Sequence, residues 1–437
     1  MAISRELKLY NSLTRSVEPL PCDRAFFGFY FCGPTVYGRA HIGNFRSLIC
    51  ADLVARTLEA FGYPLKYVRN LTDVDDKTIR GAKEANAPLK EFTQKHIDEF
   101  HGDCKSLNLR TPEVEARATD HVSMMIRVIK RLMTRGFAYQ ADDGSVYFRI
   151  ASFPEYGRLA HLDAAGLKSG ARVDQDEYDK ESPADFALWK AHRPEDGQAV
   201  WESPWGPGRP GWHIECSAMS MEYLGETYEL HGGGVDLLFP HHENEIAQSE
   251  CATGLPFVGH WFHVAHLQVE GRKMSKSLGN LHTLDDIRAM GFGDNEFGHL
   301  DELRLALLWS HYREPLNFTR ASLSDARAAL QRLNNFSIRL HEVAWGGAAE
   351  ASERSYELKA SDFQEQFLDS LQEDLNISAA LARLFDAVTQ VNTAIDHRNL
   401  SVAEAMEWIA ALNFVGTRIL GFQFQVPHQP PPDVAAI

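Results

Sequence analysis

The first seventy residues alternate short apolar runs with one longer amphipathic segment. The apolar, aromatic run from residue 25 to 31 comes before a turn that contains glycine and proline. Apolar residues then recur at helical spacing from residue 42 to 61, and a second β-rich run covers residues 65–69. This order predicts strand, helix and strand, which is a βαβ unit. Such units build parallel sheets, so we predict an α/β fold.

The middle of the chain changes its pattern twice. Residues 77–85, 89–107 and 120–136 are predicted to be helices, and residues 139–148 a hairpin around the turn at 142–144. Residues 149–211 are rich in glycine, proline and charge and show no long period. A helix at 214–223 and strands at 227–230 and 260–269 follow. We interpret 110–211 as an insertion between two halves of one sheet domain.

From residue 301 onward the chain is predicted to be almost entirely helical. Amphipathic segments with few helix breakers cover residues 303–309, 320–342, 355–369, 377–398 and 403–420. We therefore predict a helical domain from about residue 300 to 421. The last residues are rich in proline, which is typical of a linker.

Bulk composition narrows the class of protein. The chain has 437 residues, enough for two or three domains, and it has no apolar run near the length of a membrane span. Six cysteines lie scattered without a CxxC pair, which favours a reducing compartment, and the N-terminus lacks signal-peptide architecture. We therefore expect a cytoplasmic protein. The formal net charge of −16 argues against nucleic-acid binding by the whole surface, but not by one basic face.

The turn between the first strand and the first helix is a candidate phosphate site. A helix N-terminus offers backbone N–H groups and a positive dipole end. His41 and Asn44 are three residues apart in the predicted first turn, and both side chains can donate hydrogen bonds to phosphate oxygens. The alternative is that this strand–turn–helix unit only builds the sheet, which is the commoner role of such units.

Four residues that are distant in sequence form a candidate metal site. Pro240 suits the first turn of a helix, which would place His241 and Glu245 four residues apart on one helical face. With the thiolates of Cys32 and Cys216 they would give zinc a tetrahedral set of ligands. The alternative is a polar helix start and two unrelated buried cysteines.

Three further segments have both a functional and a structural interpretation. The acidic Asp73, Asp75 and Asp76 can bind a metal, although helix capping by Asp73 or Asp76 is the commoner role. The glycines at 232–234 allow either close approach of a ligand or a tight turn. The segment 273–280 places two lysines among hydroxyls, which suits a polyphosphate or simply forms an exposed basic loop.

Taken together, these segments resemble one family, the cysteinyl-tRNA synthetases, which are class I aminoacyl-tRNA synthetases. The resemblance covers roughly residues 7–421. HIGN and KMSKS correspond to the two ATP signatures of the class. The matching segments are CGPTVY (32–37), HIGN (41–44), YVRNLTDVDDK (67–77), GWHIECSAM (211–219), HGGGVDLLFPHHENEIAQSE (231–250) and KMSKSLGN (273–280).

The resemblance implies a domain plan. It implies a Rossmann-like parallel-sheet catalytic domain with an inserted connective subdomain, followed by an α-helical bundle domain that contacts the tRNA stem. On this plan the domains are 1–109 and 212–299 for the two catalytic halves, 110–211 for the insertion, 300–421 for the helical domain and 422–437 for a proline-rich tail. The family's C-terminal anticodon-binding module is not recognisable in the sequence.

The resemblance also implies roles for individual residues. Zinc, one ion per chain, would be held by Cys32, Cys216, His241 and Glu245, and Mg²⁺ would arrive with ATP. The expected partners are ATP, L-cysteine and tRNA(Cys), with no membrane, and we expect a monomer. The amino-acid pocket would contain Thr72, Trp212 and His231; ATP would be contacted by Gly33, His41, Asn44, Gly234, Asp236 and Lys276; catalysis would use His41, Asn44, Lys273 and Lys276.

The implied reaction is cysteine–tRNA ligation through a cysteinyl-adenylate. Apolar packing separates near-isosteres such as cysteine and serine only ~10 to 200-fold, whereas a zinc ion that prefers a soft thiolate separates them further. One departure is Asn44, where the general class pattern has histidine. Two alternatives are the related cysteine ligase of mycothiol synthesis and a non-catalytic zinc- and nucleotide-binding relative of the synthetases.

Overall fold

The computed structural model describes residues 3–162, 185–274, 278–346 and 358–427, and the elements below are numbered along these residues. The strands are β1 (Lys8–Asn11), β2 (Ser16–Pro19), β3 (Phe27–Phe31), β4 (Leu65–Leu71), β5 (Val114–Arg117), β6 (Ala138–Gln140), β7 (Val146–Phe148), β8 (Phe186–Ala191), β9 (Gly208–Pro210), β10 (Tyr228–Gly234), β11 (Val258–Val264), β12 (Leu267–Val269), β13 (Arg272–Lys273) and β14 (Leu316–Phe318). The α-helices are α1 (Ile42–Ala60), α2 (Asp76–Glu84), α3 (Leu89–Ser106), α4 (Val122–Thr134), α5 (Trp212–Leu224), α6 (Glu243–Thr253), α7 (Leu284–Ala289), α8 (Asp301–Leu308), α9 (Arg320–Trp345), α10 (Ala360–Gln372), α11 (Ile377–Asp396) and α12 (Val402–Leu412).

A five-stranded parallel sheet forms the centre of the α/β part of the chain. Its strand order is β11-β10-β3-β4-β5, and every neighbouring pair is parallel. All five residues of β3 are buried, because helices cover both faces of a central parallel strand. The predicted βαβ unit and the α/β fold class are confirmed, and the carboxyl ends of the strands meet at one edge of the sheet.

The edge strand β5 extends the sheet beyond the predicted boundary of its first half. We assigned residues 110–211 to the insertion, but Val114–Arg117 pairs with β4. This strand is only four residues long and carries charged side chains at two of its positions, so its sequence alone gives a weak strand signal. In the structure the first half of the sheet therefore ends at about residue 117.

The residues after α4 build a separate antiparallel sheet with the strand order β6-β7-β8-β9. Its first two strands form the predicted hairpin. Part of the predicted insertion, residues 163–184, lies outside the described residues. Arg209 and Lys190 of this sheet both pair with Asp76 at the start of α2, which connects this sheet to the α/β part of the chain.

All three carboxylates of the acidic segment after β4 have structural roles. Asp75, rather than Asp73 or Asp76, is the N-cap of α2, and it accepts a hydrogen bond from the backbone N–H of Thr78 at 2.7 Å. Asp73 accepts both the backbone N–H and the hydroxyl of Thr119. The capping interpretation therefore holds, although the cap is the residue between the two that we named.

Helices α8 to α12 form the helical domain, and buried arginines connect it to the α/β part of the chain. Arg46 of α1 donates to backbone carbonyls at the end of α8, including that of His311 at 2.9 Å. Arg304 of α8 pairs with Asp52 of α1, and both side chains are buried. Among the described helices none is both long enough and apolar enough to cross a membrane.

Candidate functional site

The turn after β3 lies against the end of β4 at the carboxyl edge of the sheet. The backbone N–H of Gly33 donates to the Asn70 side chain at 2.8 Å, and Thr35 pairs with Thr72 in an isolated parallel bridge. A Cβ atom at residue 33 would lie 1.9 Å from the backbone oxygen of Asn70. Only glycine fits this approach. The approach holds the end of β4 against the turn that follows Cys32.

Four predicted metal ligands lie together beneath this edge. The ligand atoms of Cys32, Cys216, His241 and Glu245 lie within 4.8 Å of one another, and all four side chains are buried. The two sulfurs are 3.8 Å apart, and the His241 Nε2 is 3.0 Å from the Glu245 Oε1. Two sulfurs, one imidazole nitrogen and one carboxylate oxygen are a donor set that suits tetrahedral zinc. The cluster is therefore compatible with a metal ion.

Two more histidines reach the same cluster from its other side. His231 and His242 each direct Nε2 at the Cys32 sulfur, at 3.5 and 3.4 Å, and with Cys32 and Glu245 they form a second group of compatible ligands. Their other ring nitrogens are also occupied. The His231 Nδ1 lies 2.6 Å from the Tyr228 hydroxyl, and the His242 Nδ1 lies 2.8 Å from His263. These partners fix the orientation of both rings.

Burial sets the protonation states in this cluster. It lowers the pKa of His231 and of His242 well below the usual histidine value, so both rings are neutral at neutral pH. It raises the pKa of Glu245 well above its usual range. Burial opposes ionisation of Cys216 as well, but the hydrogen bond from Cys32 and the neighbouring His241 lower its pKa to about 7. The buried Cys216 thiol is therefore partly ionised at neutral pH.

The three residues predicted for the amino-acid pocket surround the same cluster. The Thr72 hydroxyl donates to the Glu215 Oε2 at 2.9 Å, and both side chains are buried. Trp212 is 39% exposed and stacks on the His241 ring, with 4.3 Å between ring centroids. Together with His231, which directs its Nε2 at the Cys32 sulfur, these side chains lie beside the cluster.

His41 and Asn44 cap the helix α1, which corrects our placement of His41 in its first turn. His41 is the N-cap, and its Nδ1 accepts the backbone N–H of Asn44 at 3.3 Å. The Asn44 Oδ1 accepts the backbone N–H of His41 at 3.1 Å. The cap therefore uses one acceptor atom of each side chain, and it leaves the Asn44 amide nitrogen as a donor at the helix N-terminus.

The lysine-containing segment that begins at Lys273, and the residues that follow it, lie beside this cap. The backbone N–H of Ile42 donates to the carbonyl of His282 at 2.8 Å, and His41 forms an isolated antiparallel bridge with Thr283. The Met274 side chain lies so close to Gly43 that a Cβ atom there would be 2.3 Å from its Cε. Lys273 is exposed on β13. Lys276 lies outside the described residues.

The glycine-rich end of β10 faces the same helix. A Cβ atom at Gly234 would lie 2.4 Å from the Asp236 Oδ1 and 3.5 Å from the Ser47 hydroxyl of α1. Gly234 and Asp236 therefore lie near α1.

Several residues of the site were missed in the sequence analysis. His242, His263 and Glu215 were not predicted, although each is buried in or beside the cluster, and neither was the half-buried His213, whose Nδ1 lies 3.0 Å from the His241 Nδ1. The spacing predicted from Pro240 is confirmed for His241 and Glu245, which approach to 3.0 Å, although the Phe239–Pro240 peptide bond is cis and a separate helical turn, Leu238–His242, precedes α6. The adjacent pair His241–His242 was the available signal, because both rings approach the Glu245 carboxylate.

Comparison with known families identifies the two parts of the chain. The family described as the tRNA synthetases class I (C) catalytic domain matches residues 21–328, and the DALR domain matches residues 366–425. Solved structures agree with this fold. The structure of Mycobacterium tuberculosis methionyl-tRNA synthetase in complex with methionyl-adenylate has a TM-score of 0.65 at 15% identity and covers 90% of this chain and 89% of its own. At this identity the likeness shows the fold alone.

Curated relatives are more similar to this chain in sequence than the solved structures are. The cysteine–tRNA ligase of Brachyspira hyodysenteriae is 48% identical over 406 residues, which are 92% of this chain and 84% of that protein. The cysteine–tRNA ligase of Opitutus terrae is 50% identical over 395 residues, which are 88% and 82%. That of Chlamydia pneumoniae is 46% identical over 416 residues, which are 95% and 86%. The chain therefore belongs to the cysteine–tRNA ligase family of class I aminoacyl-tRNA synthetases.

Proposed function

We propose that this protein activates L-cysteine with ATP to cysteinyl-adenylate and transfers the cysteine to the 3′ end of tRNA(Cys). One observation carries the specific part of this proposal. A buried cluster of Cys32, Cys216, His241 and Glu245 lies at the carboxyl edge of a parallel sheet, beside the cap that carries the first ATP signature. Ligands of doubly wound sheets bind at this edge.

We propose that the metal is zinc, one ion per chain, and that Cys32, Cys216, His241 and Glu245 hold it. Soft thiolate ligands favour zinc. This quartet supplies two thiolates, whereas the group that contains His231 and His242 supplies only that of Cys32. Bound there, zinc would supply a soft acceptor for the thiolate of substrate cysteine, which the hydroxyl of serine cannot match. His231 and His242 would then line the substrate side of the cluster.

The first step is an in-line attack of the cysteine carboxylate on the α-phosphate of ATP, with pyrophosphate as the leaving group. Such a step needs positioning and stabilisation of charge on phosphate oxygens, and it needs no protein nucleophile. We assign the donor at the helix N-terminus to Asn44, together with His41, and we assign Lys273 and Lys276 to the leaving pyrophosphate. Mg²⁺ would accompany ATP and neutralise part of its charge.

The adenosine and amino-acid ends of the substrates are assigned to the remaining residues. Gly33, Gly234 and Asp236 would approach the nucleotide, since two of them allow close backbone contact. Thr72, Trp212 and His231 would line the amino-acid pocket. The helical domain, 300–421, would contact the stem of the tRNA, and the protein would act as a monomer in the cytoplasm.

Cysteine-dependent exchange of ATP with pyrophosphate tests the first half-reaction, with serine as the control amino acid. We expect exchange with cysteine, at least ~10³-fold faster than with serine, because packing alone gives only ~10 to 200-fold between near-isosteres. Absence of exchange with cysteine in a zinc-loaded protein would contradict the proposal.

Charging of tRNA(Cys) tests the second half-reaction and separates the alternatives. The mycothiol-pathway ligase would join cysteine to an amino-sugar inositol and would not charge tRNA, and a non-catalytic relative would do neither. The curated relatives, which are named as cysteine–tRNA ligases, do not favour these alternatives. We expect charging of tRNA(Cys) and no ligation of the amino sugar.

A further inference from the structure

Two buried cations lie directly opposite each other in the antiparallel sheet that contains β8 and β9. Lys190 of β8 and Arg209 of β9 are partners in the register, and they are only 6% and 3% exposed. Like charges directly opposite each other destabilise a pair of strands, and lysine and arginine are seldom fully buried unless they are paired. This arrangement therefore calls for an explanation.

Both cations converge on one carboxylate from another element. The Lys190 Nζ lies 2.9 Å from the Asp76 Oδ2, and the Arg209 guanidinium pairs with the Asp76 Oδ1. Asp76 is the first residue of α2, which follows β4 of the parallel sheet. Burial would raise the pKa of Asp76, but Arg209 and Lys190 outweigh it and lower the pKa, so the carboxyl is ionised at neutral pH.

These ion pairs of Asp76 connect the segments that carry the two sides of the candidate amino-acid pocket. On one side, Asp76 follows Thr72 by four residues at the end of β4. On the other side, Arg209 precedes Trp212 by three residues, and Trp212 begins α5. The distance between the two sides therefore depends on Asp76.

The sheet holds the start of α5 through a close backbone contact. The backbone N–H of Gly211, the N-cap of α5, donates to the carbonyl of Leu188 on β8 at 2.9 Å. A Cβ atom at residue 211 would lie 2.1 Å from the backbone oxygen of Ala187. Because this contact leaves no room between β8 and Gly211, a shift of β8 would move Trp212 with it.

We propose that Asp76 is a positioning residue for the amino-acid pocket, which fixes the start of α5 relative to the end of β4. This inference rests on the proposed function. The hydrogen bond from Thr72 to Glu215 joins the same two segments at one point, and the ion pairs of Asp76 restrict rotation about that point. Asp76 would thus control the affinity for cysteine without touching the substrate.

The test compares Asp76→Asn with a matched control, Asp196→Asn. Asp196 also pairs with Arg209, at 2.8 Å, but it lies between β8 and β9 in the chain rather than on α2. Each variant keeps the shape of its side chain and removes one negative charge beside Arg209. Exchange of ATP with pyrophosphate gives the KM for cysteine and the KM for ATP, metal analysis gives the zinc content, and urea denaturation reports on folding.

We expect Asp76→Asn to raise the KM for cysteine at least ~10-fold, since a misplacement of about 1 Å in a site can cost ~100-fold. The KM for ATP and the zinc content should stay those of the wild type, because the cap of α1 and the candidate ligands do not contact Asp76. Asp196→Asn should lose stability but keep the KM for cysteine. Asp76→Glu, which keeps the carboxylate, should recover most of the affinity that Asp76→Asn loses.

A double variant separates positioning from a general loss of stability. Lys190→Met removes one cation and keeps most of its apolar stem, and it should raise the KM for cysteine less than Asp76→Asn does, because Arg209 remains. In the double variant the KM for cysteine should not exceed that of Asp76→Asn alone. KM effects that multiply would contradict the inference. If Asp76→Asn does not fold, Lys190→Met provides the same comparison of KM values.

Three further results would overturn the inference. One is an unchanged KM for cysteine in folded Asp76→Asn, and another is an equal rise of the KM values for cysteine and ATP. The third is an equal rise of the KM for cysteine in Asp196→Asn, which would show that the connection to α2 is not what matters. A wild-type protein without cysteine-dependent exchange would instead contradict the proposed function, and the inference would fall with it.

Discussion

The candidate metal centre and the candidate phosphate site lie at the same edge of one sheet, but they are built in opposite ways. At the metal centre every candidate ligand is buried, and the ligands come from the end of β3, from α5 and from the start of α6. At the phosphate site His41 and Asn44 are only partly buried, and Lys273 is exposed. The first site is enclosed by the core, and the second is open to solvent.

This difference corresponds to what each site would have to bind. A site that distinguishes sulfur from oxygen gains from a dry, fixed set of ligands, because a low dielectric strengthens each contact. A site that admits ATP and releases pyrophosphate must stay accessible. We therefore expect substitutions at the metal centre to abolish selectivity and substitutions at the phosphate site to slow activation in proportion to the charge they change.

The largest expected effect comes from Cys216→Ser. Loss of one thiolate from the quartet should remove zinc, so the metal content should fall from about one ion per chain to nearly none. Cysteine-dependent exchange should fall more than ~100-fold, since even the loss of an outer partner costs 10 to 100-fold. Metal analysis and exchange assays measure both effects.

Cys251→Ser is the matched control for that experiment. Cys251 is also buried and lies on the same helix as Glu245, but it belongs to neither group of compatible ligands. It should retain its zinc. Equal metal contents in the two variants would remove Cys216 from the ligand set.

The next largest effect is expected from Asn44→Asp, which tests the candidate phosphate site. An aspartate still accepts the backbone N–H of His41 and so keeps the helix cap, but it places a negative charge against the triphosphate. We expect exchange to slow ~100-fold at an unchanged zinc content. Steady-state exchange with varied ATP measures this effect.

Asn44→Ala completes the comparison at this position. It removes the reciprocal hydrogen bond that the Asn44 side chain accepts from the His41 backbone N–H, which costs about 1 kcal/mol of stability, and it also removes the amide donor, while His41 remains the N-cap. We expect Asn44→Ala to be less stable than Asn44→Asp but more active. If the aspartate variant were as active as the wild type, Asn44 would have only a capping role.

A smaller effect is expected from Thr72→Val in the amino-acid pocket. The substitution leaves the buried Glu215 carboxyl without the hydroxyl that now donates to it, so unfolding should become easier by about 1 to 3 kcal/mol. The KM for cysteine should rise ~10-fold while the KM for ATP stays constant. Urea denaturation and exchange kinetics measure these effects. A loss of stability with an unchanged KM for cysteine would remove Thr72 from the pocket.

The smallest effect concerns Asp103, beside the open site. Arg39 connects Asp103 of α3 with Asp285 of α7, just after the second ATP signature. Burial outweighs the attraction of Arg39 and raises the pKa of Asp103 to about 6. The folded protein therefore holds this proton more tightly than the unfolded chain between pH 4 and 6, and the resulting stability is lost as the pH rises through 6.

Asp103→Asn should abolish this dependence. The free energy of unfolding of the wild type, relative to the variant, should fall as the pH rises from 5 to 7, and the metal content should not change. Urea denaturation at several pH values measures the difference. A difference that is constant with pH would show that Asp103 does not titrate in this range.

The sequence predicted most of what local patterns control. The apolar run that became β3, the helix α1 and the hairpin β6–β7 were all visible, since each has its own period or turn. The family and the fold class are confirmed by the comparisons. The order of the motifs also indicated which two cysteines belong to one metal site, and in the structure the sulfurs of Cys32 and Cys216 are 3.8 Å apart.

The sequence could not predict what depends on contacts between distant segments. His242 was overlooked because helical spacing connects His241 with Glu245, whereas the approach of His242 to Cys32 joins segments 210 residues apart. The short strand β5 was overlooked because only its pairing with β4 makes it a strand.

The proposed activity requires that this buried cluster holds zinc and accepts the thiol of the substrate. X-ray absorption at the zinc edge, with and without L-cysteine, tests it most directly. We predict two sulfur ligands at about 2.3 Å in the free protein and a third when L-cysteine is added, with no change when L-serine is added. An identical spectrum with and without cysteine would contradict the claim.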